Sequence, residues 1–227
     1  MFQIIEYPWI IPALPLFSFF FIGFIIRPYL TQLSGWVGAL VLFLTALASY
    51  HLAYEFFFLN AHSQSALKAA VPWSFEWVRF EKAMTVRFGT LIDGISVMML
   101  VVVSTVSFLV HLYSISYMHD DKGIGRYFTF LSLFTFSMLG LVLAPNIFQT
   151  YVFWELVGVS SFLLIGFYYE KPSAVAASKK AFIVTRFADL GFLIGILILA
   201  YFGYELHANL GDLQPLDYAF LTHPEVL

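Results

Sequence analysis

From Tyr127 to Tyr169 the chain carries a single formal charge, Glu155. Backbone that enters hydrocarbon must satisfy its own N–H and C=O groups, which confines it to helices or closed barrels. About 20 apolar residues cross the hydrocarbon core as a helix. The stretch has room for two crossings, with the Ala144-Pro145-Asn146 turn between them. It predicts a tight helical hairpin with a very short loop.

The rest of the chain agrees. Of 227 residues, 61% are hydrophobic, 20% aromatic and only 11% charged, against about 25% charged in soluble domains. Mean hydropathy is +0.86. So little polar surface cannot cover so much apolar surface in water. The expected fold class is an all-α transmembrane helix bundle of about six spans, at about 8–26, 35–58, 90–117, 127–143, 147–169 and 178–202. Between spans two and three, residues 59–89 hold Lys68, Glu76, Arg79, Glu81, Lys82 and Arg87. There Trp73, Phe75 and Trp77, then Met84, Val86 and Phe88, alternate with other residues at a period of two. That pattern predicts a small β-hairpin outside the membrane, turning near Glu81-Lys82. Residues 203–227 read as an interfacial tail or a linker.

A net charge of −3 gives no case for nucleic-acid binding, and the absence of cysteine excludes thiol chemistry and cysteine-ligated clusters. No metal-ligand cluster, phosphate loop or GxGxxG motif occurs, so no cofactor is expected in this chain. The first residues lack a basic n-region and an A-x-A site, so no cleavable signal is expected. Arg27, Lys122, Arg126, Lys171, Lys179 and Lys180 fall on one set of span ends, while the 144–146 loop and the tail after Tyr204 have no Lys or Arg. By the positive-inside tendency both termini lie outside, which in a bacterial inner membrane is the periplasm.

A charge at mid-bilayer costs about 2.5–3.5 kcal/mol on insertion scales. Glu155 therefore needs either a proton or a cation nearby, and a carboxylate that can exchange one for the other suits proton transfer. The competing reading is an inert packing glutamate. In span six Arg186 and Asp189 stand three apart, so they share a helix face and can pair. Thr185 can add a hydroxyl, and Lys180 is a weaker candidate, six residues from Arg186 and on another face. Asp93 opens span three, where a carboxylate is favoured by the helix dipole; capping competes with function there. His111 late in the same span is a further proton-transfer candidate, against a packing role.

The stretches "FGTLIDGISVMMLVVVSTVSFLVHLYSISYM", "WELVGVSSFLLIGFYY" and "KAFIVTRFADLGF" resemble the antiporter-like membrane subunits of respiratory complex I, of the subunit L or subunit 5 type. The resemblance covers about 1–205. It implies a role in proton translocation coupled to NADH:quinone oxidoreduction, with other membrane and peripheral subunits as partners and with NADH and quinone handled elsewhere. It assigns Glu155 to the proton path, with Arg186 and Asp189 tuning it, and His111 to the third helix. It divides the chain into leading helices at 1–118, the start of a first antiporter-like repeat at 119–204, and a tail at 205–227. The family's partner lysine for the glutamate lies in a seventh helix beyond this sequence, so a fragment is expected that does not translocate protons alone. A related cation/proton antiporter or carbon-uptake subunit is the alternative, and a structural scaffold a third.

Overall fold

The computed structural model describes residues 4–59, 69–81, 84–207 and 214–222. Among these, six helices are long and apolar enough to cross a membrane. They are α1 (Ile10–Tyr29), α2 (Leu33–Leu59), α3 (Gly94–Tyr117), α4 (Ile124–Val142), α5 (Ile147–Ile165) and α6, whose helix runs Pro172–His207. A two-stranded antiparallel sheet, β1 (Ala70–Glu81) and β2 (Met84–Ile92), lies between α2 and α3. A short α7 (Tyr218–Leu221) follows α6. The chain is an all-α membrane bundle with one small hairpin, as its sequence patterns predict. Lys68, Lys82, Leu210, Asp212, Leu213 and Glu225 lie outside the described residues.

Several boundaries move. Residues 90–92 pair in β2, so the third span starts at Gly94 rather than 90. The fifth ends at Ile165, where Gly166 caps it, and Phe167 to Tyr169 turn instead of continuing the helix. The sixth begins six residues early, at Pro172, whose missing N–H costs nothing in a first helical turn.

Small residues set the packing. Along α2, Gly35, Gly38, Ala39, Ala46 and Ser49 are buried, and such residues let membrane helices approach closely. A Cβ at Gly38 would sit 3.2 Å from the His111 ring, and one at Gly35 would sit 3.0 Å from Phe128. Helix α1 carries Pro15 in its interior and a π-helical stretch over Phe21–Ile26. It packs on α4, where Ser18 and Ser132 share a buried hydrogen bond of 3.2 Å.

The hairpin caps one end of the bundle and is bolted to the α4–α5 turn. Leu91 N–H donates to Leu143 O at 2.7 Å. Asn146 Nδ2 donates to Arg87 O at 2.6 Å. The Gln149 amide both accepts from Gly89 N–H and donates to Gly89 O, each at 2.9 Å. Gly89 has to be glycine, since a Cβ there would lie 2.7 Å from the Trp73 carbonyl oxygen. Trp73, Phe75, Trp77 and Phe88 form one aromatic row that reaches Phe148 and Phe153 on α5. The described part of the tail docks on the same turn. Ile147 N–H donates to Leu216 O, Tyr218 N–H to Pro145 O, and Thr85 N–H to the Gln214 side chain. Residues 214–222 thus dock on the hairpin and the α4–α5 turn.

Candidate functional site

Helices α5 and α6 pack side by side, and Glu155 of α5 meets Arg186 and Asp189 of α6 between them. Arg186 of α6 forms an ion pair with Glu155 of α5. Its other near carboxylate is Asp189, at 3.7 Å one turn along α6. Arg186 Nη2 also donates to the Glu155 backbone oxygen at 3.4 Å, and its guanidinium stacks 4.6 Å over the Phe182 ring. Asp189 is buried and accepts a 2.9 Å hydrogen bond from the Trp154 indole N–H. One cation is therefore shared by two acids inside the spans. The tryptophan beside Glu155 in sequence fixes the second acid.

The pairing has a clear physical basis. A lone ion in hydrocarbon is expensive, whereas a planar guanidinium satisfies two carboxylates and rests its flat face on an aromatic ring. An apolar cavity of about 360 Å³ adjoins the pair, bordered by Met138, Trp154, Gly158, Phe162, Thr185 and Asp189.

The remaining candidates separate from this cluster. Thr185 is exposed and its hydroxyl donates to Phe182 O at 3.0 Å within α6, so it supports neither acid. Lys180 is exposed and forms no ion pair among the described residues. Asp93 is the N-cap of α3. Its carboxylate accepts from Ser96 N–H at 2.7 Å, while Ser96 Oγ accepts from Asp93 N–H at 2.8 Å, a complete capping box. His111 is fully buried in a different interface, between α2, α3 and α4. Its Nδ1–H donates to Ser107 O at 2.8 Å, which leaves Nε2 as an acceptor with no partner among the described residues. Among the described residues no group of three or more His, Cys, Asp or Glu could hold a metal ion.

Two functional-looking groups escape sequence reasoning. Trp154 reads as an ordinary interfacial aromatic until its indole is seen on Asp189. Glu55 is a buried carboxylate at the end of α2. It accepts from Ile4 N–H and Ile5 N–H at 3.3 and 3.0 Å and pairs with His51 Nε2 at 3.1 Å. Its signal was present, an acid inside the apolar run "AYEFFFL".

Comparison with known proteins gives these contacts a context. Residues 77–128 match the family described as NADH-ubiquinone oxidoreductase (complex I), chain 5 N-terminus. Residues 144–214 match the transmembrane family of NADH:quinone oxidoreductase and Mrp antiporters. The chloroplastic NAD(P)H-quinone oxidoreductase subunit 5 of Zygnema circumcarinatum is 42% identical over 196 residues, covering 86% of this chain and 27% of that protein. Over most of its length the chain is similar to subunit 5 of these oxidoreductases. The corresponding protein of Chara vulgaris is 40% identical over 200 residues, covering 86% of this chain and 29% of its own length. The chain spans between a quarter and a third of the curated relatives it matches. Its fold is also that of chains in the Mrp complex of a Dietzia species (TM-score 0.70, 23% identity, 95% of this chain and 21% of that one) and in an archaeal membrane-bound sulfane sulfur reductase (TM-score 0.68, 20% identity, 86% and 37%). The likeness to those two structures is one of fold.

Proposed function

We propose that this chain is the leading membrane part of an antiporter-like subunit in a proton-translocating NAD(P)H–quinone oxidoreductase, and that Glu155 carries protons in it. The carrying observation is the intramembrane contact of Glu155 with Arg186, itself shared with Asp189. A carboxylate held by a movable cation can take a proton when the cation swings away and release it when the cation returns. Asp189, anchored by Trp154, offers Arg186 the alternative resting place. In this reading His111 is a second proton-transfer group, open at Nε2, and Asp93 serves as a helix cap. Residues 1–118 are the leading helices and 119–204 open an antiporter-like repeat. In this reading NADH and quinone are handled by other subunits of the assembly.

The basic span ends (Arg27, Lys122, Arg126, Lys171, Lys179, Lys180) favour an orientation with those ends inside and the hairpin outside, as in a bacterial inner membrane. The about 40% identity to oxidoreductase subunits supports this function over that of a cation/proton antiporter, whose resemblance is one of fold. The test is Glu155→Gln in the complete subunit within an assembled complex, assayed in inverted vesicles. Loss of proton uptake per NADH oxidised, with assembly intact, supports the proposal. Unchanged pumping overturns it.

A further inference from the structure

At the end of the bundle opposite the hairpin, Arg27, Lys122 and Arg126 border one polar cavity of about 270 Å³, with Thr31, Gly123, Gly125, Tyr169 and Glu170 completing its wall. The cations come from three places: the end of α1, the α3–α4 turn and the first turn of α4. Glycines let them close on that turn. A Cβ at Gly125 would lie 3.2 Å from Arg27 Cγ, and one at Gly123 would lie 3.3 Å from Arg126 Nη2.

None of the three is neutralised by an ion pair among the described residues. The nearby Asp121 is committed elsewhere, accepting from Gly123 N–H at 2.7 Å and from the Tyr168 hydroxyl at 3.0 Å. Arg126 is oriented by its neighbours. Its Nη2 donates to Phe167 O at 3.1 Å, and its guanidinium lies 4.9 Å and 4.7 Å over the rings of Phe167 and Tyr169. Its Nε, however, is buried without an acceptor among the described residues. A buried donor left unpaired is unfavourable, and three clustered cations repel. Both costs vanish if an anion with several acceptor oxygens enters. The first turn of α4 adds a positive dipole end, which favours phosphate.

We propose that this cavity binds the phosphate of an anionic phospholipid headgroup. The position decides the source. The cavity lies beside the ends of α1 and α5, two helices long and apolar enough to cross a membrane, and the exposed side chains Tyr29, Leu30 and Tyr169 offer a surface for acyl chains. Bound lipid would tie the α1 end, the α3–α4 turn and the α5–α6 turn together. Nothing in this site depends on Glu155 or on proton transfer.

The experiment is native mass spectrometry of the full chain from detergent micelles, titrated with phosphatidylglycerol, with phosphatidylcholine and with inorganic phosphate. Phosphatidylglycerol should bind at least tenfold more tightly than phosphatidylcholine. Lys122→Gln and Arg126→Gln should each weaken it about fivefold, the effect of one interfacial cation, while Arg79→Gln on the distant hairpin should not. Lys122 is exposed and forms no ion pair among the described residues, so its replacement keeps the test alive if Arg126→Gln, which loses the bond to Phe167 O, fails to fold. Equal affinity for the two lipids, no loss in Lys122→Gln, or displacement of lipid by millimolar phosphate would each overturn the proposal.

Discussion

Gln149 is the bolt between hairpin and bundle, and its removal has a calculable cost. The side chain is buried and satisfies both backbone groups of Gly89 at 2.9 Å. Leucine has nearly the same size and no polar atom. Gln149→Leu therefore leaves one N–H and one C=O buried and unpaired, each costing about 1–3 kcal/mol. Extra apolar burial returns about 1 kcal/mol, so the net local loss is roughly 3 kcal/mol. At 1.4 kcal/mol per decade the protection of the Gly89 amide against hydrogen exchange should fall by about 100-fold. Exchange is measured on the full chain in micelles by mass spectrometry of peptides spanning β2. The Leu91 amide, held by Leu143 O, serves as the internal reference. Gly89 protection within threefold of wild type would refute the reasoning, because the clamp would then carry no load.

Other expectations follow from single contacts. Asp217 lies outside the spans, and burial pushes its carboxyl up to about 6 while Arg87 pulls the other way. The folded value exceeds the ordinary one of 3.8. Docking of 214–222 is therefore strongest below about 4 and weakens as pH rises through about 6. Protection of the Tyr218 amide, corrected for intrinsic rate, should drop between pH 5 and pH 7.5, and Asp217→Asn should abolish the drop. At Gly140 a Cβ would collide with the Phe153 ring, so Gly140→Val should destabilise the α4–α5 contact by about 1–3 kcal/mol. Phe153→Leu in the same chain should recover part of that in a thermal melt. Asp93 acts as a cap, so Asp93→Asn should be nearly neutral for stability while Asp93→Ala costs about 1 kcal/mol.

What the sequence revealed, and what it hid, divides by range. Apolar runs and the period-two apolar pattern of 73–77 and 84–88 locate every span and the hairpin, because those signals are local. Boundaries slip where tertiary bonds decide them: residues 90–92 pair with β1, and Gly166 ends α5 early. Arg186 and Asp189 are legible as an i, i+3 pair. That Arg186 reaches across to Glu155 requires knowing that α5 and α6 are neighbours, which spacing does not state. The roles of Trp154 and Gln149 depend on partners 35 and 60 residues away. Thr185 was plausible by position but bonds its own helix.

The central claim is that Glu155 and Arg186 act as one unit across the α5–α6 contact. The direct measurement is a double-mutant cycle on proton pumping, with Glu155→Gln, Arg186→Gln and the pair in the complete subunit of an assembled complex. If they work together, the double variant pumps no worse than Glu155→Gln alone, a coupling of tenfold or more. If the two losses simply multiply, the residues act independently and the account is wrong.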